Sequence, residues 1–460
     1  MKELWLVMGF GRSGIAAADL LIKLDKTPVI IDDVNSEQMR LNAEKYRNAG
    51  IIVLLGVKPE QLTFVPSYAV ISPGIPLNHW IFNWLTKHHI SPISEVELGW
   101  QNTRGTLIAI SGSNGKTTTT KLLGEIFAKT RKRSFTCGNI GIAISSVALE
   151  TDDDSLLSVE VSSFQLMHIQ SFNPKVAVLI NITPDHLKEH DGFENYKKAK
   201  ERLWLNHSED NYLIYNYDDV EVKELVKSAK SRKIPISTRS VLSEGSWIED
   251  GVFRCKLSSI GIDWDFNTEQ FALKGRHNFE NALCAITAAF AAGVDCKSVE
   301  RGLMEFRGVP HRQELIRIIN GVSYINDSKS TNVDSGIIAL ETMAKPVILI
   351  AGGISKEAGF SKVEAIVRSK VKHLIALGKC ADDLVRDLKG STKIDKVRDI
   401  SEAVFLASQI AQDGDIVLLS PMAASFDMFD NYEHRGNVFR ELVNALSISL
   451  DPDVSVRGLL

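Results

Sequence analysis

Three stretches of this sequence carry side chains whose types and spacing suit chemistry on phosphates. Residues 111–120 read SGSNGKTTTT, where an apolar run breaks into glycines before Lys116, Thr117 and a helical pattern. In that order, backbone N–H groups and a helix N-terminus cradle phosphate oxygens, Lys116 reaches the terminal phosphates, and Thr117 can ligate magnesium. The pattern is a shortened one, because Ile110 stands where a full phosphate loop has its first glycine. Gly112, Ser113, Asn114, Gly115, Lys116, Thr117 and Thr118 are therefore the expected ATP cradle. Magnesium favours a few carboxylates together with substrate phosphates and water. Glu160 closes the apolar run SVE, and Asp185 and His186 follow the next one, in NITPDH. Three successive strand ends can thus converge on one metal and phosphate site.

A second glycine loop opens the chain. Residues 7–16, VMGFGRSGIA, place Gly9, Gly11 and Gly14 in the G-x-G-x-x-G spacing, and TPVIIDD then ends in Asp32 and Asp33. By itself this spells a dinucleotide site, with a carboxylate near where a ribose would bind. The nearby turn Ser72-Pro73-Gly74 ends another apolar run, at the edge where parallel sheets bind ligands.

The elements that must hold these loops follow from the hydrophobic pattern. Short apolar runs alternate with amphipathic helical stretches, which predicts α/β architecture with parallel sheets. In the first hundred residues the strand candidates are LWLVMG, PVIID, GIIVLLG and YAVISPG. A second unit starts with GTLIAIS, continues through SLLSVE and KVAVLI, gains strands between about Ser228 and Gln270, and enters a helix near KGRHNFENALCAITAAF. Gly308 and Pro310 punctuate the next boundary. A third unit follows with VSYIND, KPVILIAGG, HLIALGK and DIVLLSPM. With 460 residues, the expected division is 1–96, 97–308 and 309–460.

The chain is 44% apolar and 24% charged, with a formal net charge of −4. That balance gives no reason to expect a nucleic-acid partner, although local basic sites for small anions are compatible with it. Five scattered cysteines without C-x-x-C spacing suit a reducing cytoplasm and exclude a disulfide framework. The start makes a poor signal peptide, and no apolar run reaches bilayer length, so a cytoplasmic protein without a membrane partner is expected.

In order along the chain, GFGRSG, GSNGKTT, GNIG, EVSSFQL, NITPDHL, HNFENALCA, PHRQE, NDSKSTN and SPMAASFDMFDNYEHRGNVF resemble the ATP-dependent muramoyl-peptide ligases of peptidoglycan precursor synthesis. The resemblance covers nearly the whole chain and is greatest to the D-glutamate-adding branch; the D-N-P-R motif of the diamino-acid-adding relatives is missing. It implies three domains: a Rossmann-like domain for the UDP substrate, a central P-loop-type ATPase domain, and a C-terminal Rossmann-like domain. It further implies a monomer that uses ATP and two magnesium ions. The alanine carboxylate of UDP-N-acetylmuramoyl-L-alanine would be activated as an acyl phosphate, then captured by the amine of D-glutamate.

Carried over by motif, Lys116, Glu160, His186 and Lys200 are catalytic. Thr117 and Glu160 serve a first metal, and His186 and a carbamylated Lys200 a second. Residue type alone would not single out Lys200, since a lysine beside Lys197 and Lys198 reads as a solvated helix face. Asn278 and Asn281 match the adenine side, and Arg312, Asp327 and Lys329 complete the nucleotide site. Gly11, Arg12, Ser13, Asp32, Asp33, Ser72, Pro73, Gly74, Asn139, Ser162 and Gln165 match the UDP-substrate site. Thr331, Lys356, Ser425 and Tyr432 match the D-glutamate site, with Lys356 in a turn, AGGISKEAGF, that departs from the family's more acidic pattern. A nicotinamide dehydrogenase would explain GFGRSG but leave GSNGKTT, Glu160 and Asp185-His186 without a role. An ATPase that drives conformational change would explain the central unit alone. Within the superfamily, another muramoyl-peptide ligase or a folylpolyglutamate-type enzyme differs mainly in its acceptor.

Overall fold

The computed structural model describes residues 3–355 and 359–446. Two compact units meet at Arg307 and Gly308, and each is described by itself.

Unit 1 contains two sheets. The first is built from β1 (Leu4–Met8), β2 (Thr27–Asp32), β3 (Ile52–Leu55), β4 (Tyr68–Ile71) and β5 (Ile93–Ser94), in the order β3-β2-β1-β4-β5, all parallel. Its central strands are almost wholly apolar because helices cover both faces. The order reverses beside β1, so the loops after β1 and β4 flank the crevice where such sheets bind ligands.

The second sheet contains β6 (Thr106–Ser111), β7 (Ser134–Gly138), β8 (Leu156–Glu160), β9 (Val176–Leu179), β10 (Tyr212–Asn216), β11 (Arg232–Ser237), β12 (Gly245–Glu249), β13 (Val252–Leu257) and β14 (Ile262–Asn267). The order is β14-β13-β12-β11-β10-β9-β6-β8-β7, so β6, which carries the phosphate loop, lies between β9 and β8. β12, β13 and β14 pair antiparallel, and the strands from β7 to β12 pair parallel. The polar section between Ser228 and Gln270 thus becomes β11 to β14. There apolar residues alternate with polar ones, as on a half-solvated antiparallel face.

The helix Glu95–Gln101 joins the two sheets. Glu97 is fully buried and accepts the backbone N–H groups of Gln170, Ser171 and Phe172 at 3.0, 2.9 and 2.9 Å. Glu95, also buried, accepts the Ser145 N–H at 2.7 Å with one oxygen, while the other has no hydrogen-bond partner. Burial pushes its pKa up to about 6.

Unit 2 has one sheet, of β15 (Glu314–Ile319), β16 (Val322–Asn326), β17 (Val347–Gly352), β18 (Val371–Leu377), β19 (Lys393–Lys396) and β20 (Ile416–Leu419), in the order β15-β16-β20-β17-β18-β19. β15 runs antiparallel to β16 and the rest are parallel. Two apolar clusters, one on each face, form its core. Among the described residues no helix is long and apolar enough to cross a membrane.

Candidate functional site

β6 runs into Gly112–Gly115 and then the helix Lys116–Ala128. Gly115 has φ +83°, and a Cβ there would stand 2.2 Å from Asn281 Oδ1, so the loop conformation requires glycine at this point. Asn181, just beyond β9, holds the loop: Asn114 N donates to its Oδ1 at 2.8 Å and Ser113 N to its carbonyl at 3.0 Å. Ser113 Oγ bonds Thr183 O and the Tyr196 hydroxyl, both at 2.9 Å. Adjacent strand ends therefore fix the loop before any ligand arrives.

Two lysines converge on this loop. Lys116 Nζ donates to the carbonyls of Gly112 and Ser113, both at 2.8 Å. Lys200 Nζ donates to Gly112 O at 2.9 Å and Ser111 Oγ at 3.1 Å, and it lies over the Tyr196 ring at 5.2 Å. Lys197 is paired with Glu194 and Glu221, and Lys198 is exposed, whereas Lys200 is 1% exposed. Burial, and then the neighbouring Lys116 charge, holds the Lys200 amine well below the usual lysine range.

On the other side of β6, Thr117 Oγ1 donates to Glu160 Oε2 at 2.8 Å, and Asn139 Nδ2 donates to Oε1 at 2.9 Å. Glu160 is 2% exposed at the end of β8. His186 lies in the loop after β9 with φ +50°, half-exposed, 3.7 Å from Asp185 and edge-on to Phe164. One cavity of about 330 Å³ is lined by Lys116, Asn139, Ser162, Asp185, His186 and Lys200, among others, with Pro73 and Gly74 on its wall. Thr118 is buried in the first helical turn. Among the described residues no three His, Cys, Asp or Glu side chains cluster as a self-sufficient metal cage. The hydroxyl and carboxylate of Thr117 and Glu160 are instead a donor set of the kind magnesium uses when phosphates supply most of its ligands.

At the first glycine loop, a Cβ on Gly14 would lie 1.8 Å from Gly9 O, so the helix starting at Arg12 packs directly on the loop. Gly11 is exposed, Ser13 half-buried, and Ser72 Oγ is buried beside Gly9 without a hydrogen-bond partner. The carboxylates expected near a uridine or ribose are engaged within the protein. Asp32 accepts Phe10 N at 2.7 Å and Val34 N at 2.9 Å, which fixes the loop itself. Asp33 pairs with His79 and accepts Trp80 Nε1 at 3.2 Å. Arg12 donates to the carbonyls of Gly141 and Asn139 at 2.8 and 3.0 Å, and so ties this loop to the GNIG segment.

Four of the residues carried over by motif have partners within the protein. Ser162 and Gln165 form a capping box for the helix Ser163–Met167, and Gln165, 1% exposed, spends its carbonyl there and does not line the cavity. Asn281, expected on the adenine side, is buried against Gly115 and accepts Thr119 Oγ1 at 3.3 Å, so it braces the phosphate loop; the Asn278 side chain donates to Lys274 O at 2.9 Å.

In unit 2, Asp327 accepts Gln313 N at 3.2 Å and Ser420 Oγ at 3.0 Å, and burial pushes its pKa up to about 7. Arg312 is half-buried with Nε unpartnered, and Lys329 lies over the Tyr432 ring at 5.6 Å. Thr331 is half-buried, Ser425 is 2% exposed, and Tyr432 opens the helix Tyr432–Ala445. Lys356 lies outside the described residues. Sequence reasoning missed Arg435: nearly fully buried, it donates to Ser328 Oγ and O at 2.9 and 2.8 Å and to Ala423 O at 3.1 Å, joining the Asp327–Thr331 loop to the loop after β20. It also missed Asn181 and the His79-Trp80 pair, none of which stands in a glycine or charge pattern.

Residues 110–289 match the Mur ligase middle domain, and residues 311–422 match the Mur ligase glutamate ligase domain. The chain is 39% identical over 446 residues to a UDP-N-acetylmuramoylalanine–D-glutamate ligase from Alkaliphilus metalliredigens, covering 96% of this chain and 98% of that one. A protein of the same name from Alkaliphilus oremlandii is 39% identical over 95% of this chain and 97% of its own length. In fold the chain is similar to the UDP-N-acetylmuramate–alanine ligase of Thermotoga maritima, with TM-score 0.58 and 16% identity over 96% of this chain and 99% of that one.

Proposed function

The chain belongs to the Mur ligase family, and we propose on that footing that it joins D-glutamate to UDP-N-acetylmuramoyl-L-alanine at the expense of ATP. The full-length similarity to D-glutamate ligases carries the choice of acceptor. The cavity shared by Lys116, Asn139, His186 and Lys200 supports the chemistry. In this reading residues 1–96 hold the UDP end, 97–308 bind ATP, and 309–460 bring D-glutamate.

A carboxylate is a poor acyl donor because its leaving group would be oxide. Transfer of the γ-phosphoryl group to the alanine carboxylate makes that oxygen a phosphate, which leaves when the D-glutamate amine attacks. The products are an amide, ADP and phosphate. Two anionic reactants meet in the first step, so cations have to screen them. Lys116 turns from the loop carbonyls to the terminal phosphates, and the backbone N–H groups of Gly115–Thr117, which Asn181 does not engage, cradle the rest. Ser72 Oγ and the N–H groups around Gly11 and Arg12 receive the UDP diphosphate, while Asn139 and Ser162 face the muramoyl end. Arg312, Asp327 and Lys329 complete the nucleotide site; Thr331, Lys356, Ser425 and Tyr432 hold D-glutamate.

Thr117 and Glu160 would hold one magnesium ion, and His186 and Lys200 a second. Magnesium, when bound, screens the phosphates and polarises the γ-phosphoryl group. Lys200 would serve that second ion as a carbamate: the amine in its unprotonated form adds to carbon dioxide, a C–N bond forms, and one proton leaves. The burial that disfavours the charged form of this amine favours the reaction, and the product would be an anion that balances Lys116.

Phosphate release from ATP with UDP-N-acetylmuramoyl-L-alanine, measured across a panel of amino acids, tests the reading. It should require D-glutamate. Equal turnover with a diamino acid, or none with any amino acid, overturns it.

A further inference from the structure

At the far end of the helix Lys116–Ala128, about 20 Å from the phosphate loop at 1.5 Å per residue, the chain turns through Lys129-Thr130-Arg131-Lys132 before β7. This turn and the start of the helix Cys296–Glu305 enclose a second concavity, of about 420 Å³. Five cations line it: Lys129, Arg131, Lys132, Lys297 and Arg301.

Two of these cations are already balanced. Lys129 pairs with Glu125 at 2.6 Å and Glu305 at 2.5 Å, and Arg301 lies 3.9 Å from Glu305. The side chains of Arg131, Lys132 and Lys297 form no hydrogen bond or ion pair with any described residue, and all three are exposed. The lone carboxylate on the lining, Asp295, is turned to its own helix, where it accepts Ser298 N at 3.1 Å and Ser298 Oγ at 2.7 Å. Unbalanced positive charge is therefore gathered in a concave place in a chain whose net charge is −4. Like charges held together without counter-charge repel, and low-dielectric walls concentrate their field on whatever enters. The volume exceeds what a single inorganic ion needs and falls in the range of small-molecule sites. The mixture of planar guanidinium and point-charge ammonium groups suits phosphate oxygens.

We propose that this cavity is a second anion site, separate from the phosphate loop, which takes a small ligand carrying two or more phosphate groups. The same chemistry is offered by a soluble polyphosphorylated molecule and by phospholipid headgroups, and the test separates the two. The inference does not depend on the proposed ligase reaction.

Inorganic pyrophosphate is titrated calorimetrically, at low salt, into the full-length Lys116→Ala chain, whose phosphate loop is weakened. The titration is repeated on the same chain with Arg131→Ala, Lys132→Ala and Lys297→Ala added. Vesicles of phosphatidylglycerol are offered to both chains in parallel. Affinity for pyrophosphate should fall at least 10-fold on adding the three substitutions. Vesicle binding that is lost with the three cations, without any pyrophosphate effect, assigns the site to headgroups. Identical pyrophosphate isotherms together with unchanged vesicle binding overturn the site. The three substitutions placed in the chain with Lys116 intact should leave ATP turnover within twofold, which shows that the fold survives them.

Discussion

The two glycine loops of unit 1 stand at the ends of central parallel strands, yet they are prepared for phosphate in opposite ways. At Gly9–Gly14 the nearby charges are spent inside the protein: Asp32 on two backbone N–H groups, Asp33 on His79 and Trp80, and Arg12 on two carbonyls. What remains for a diphosphate is backbone, a helix N-terminus and the unpartnered Ser72 hydroxyl. At Gly112–Lys116 two lysine amines point at one carbonyl, and one of them is buried. In the proposed reading the first loop holds an anion that does not react. The second, in the proposed reading, sets the Lys116 ammonium beside a buried Lys200 amine whose charged form is disfavoured, at the phosphoryl group that reacts.

The largest effect that would break this contrast is at Lys116. Lys116→Ala should lower turnover about 10³-fold while leaving the affinity for the UDP substrate within a few fold, measured by calorimetry on the full chain. Loss of both would mean that the two loops are not separable. Lys200→Ala should cost about 10²-fold in turnover, partly restored by added short-chain carboxylates, which replace the anion but not the amine. Normal turnover of that variant would remove Lys200 from the site.

Glu95 lies between the loops, near Arg12 and bonded to Ser145. Its folded pKa of about 6 is raised above an ordinary glutamate value of about 4.3. Its stabilising contribution is therefore full below about pH 4 and is lost as pH rises through 6. Glu95→Gln should abolish that loss, so that the variant gains about 2 kcal/mol on its parent between pH 4 and pH 8, read from urea midpoints. An unchanged difference across that range would mean that Glu95 stays ionised in the fold. The smallest effect is at Asp32. Asp32→Asn keeps an acceptor for Phe10 N and should raise KM for the UDP substrate about 10-fold or less with kcat intact, and the full chain should bind UDP in preference to NAD. Preferential NAD binding would restore the dinucleotide reading of the first loop.

Both glycine loops and their flanking strands were legible in the sequence because glycine spacing and apolar runs are local signals. β6, β8 and β9 stand where GTLIAIS, SLLSVE and KVAVLI predict them. Charge partners were not legible. Nothing local distinguishes Lys200 from Lys197 and Lys198; the difference arises when Tyr196 and Lys200 turn inward under β6, which is a tertiary event. For the same reason the two backbone hydrogen bonds by which Asp32 holds its own loop were not legible. The capping role of Gln165, by contrast, was visible in S-x-x-Q. Arg435 stands in a helix with no pattern to mark it, and its role appears only when two loops distant in sequence meet.

The placement of β6 between β9 and β8 also governs when the phosphate loop can exist during synthesis. β6 ends at Ser111, but its two neighbours are complete only at Glu160 and Leu179, and the bracing Asn181 comes later still. A nascent chain shorter than this exposes β6 with unpaired edges and a glycine loop without support, a state prone to wrong pairing. Nucleotide affinity should therefore be acquired abruptly, once the ribosome has released the chain through Asn281, which braces Gly115, and not gradually as the loop itself emerges.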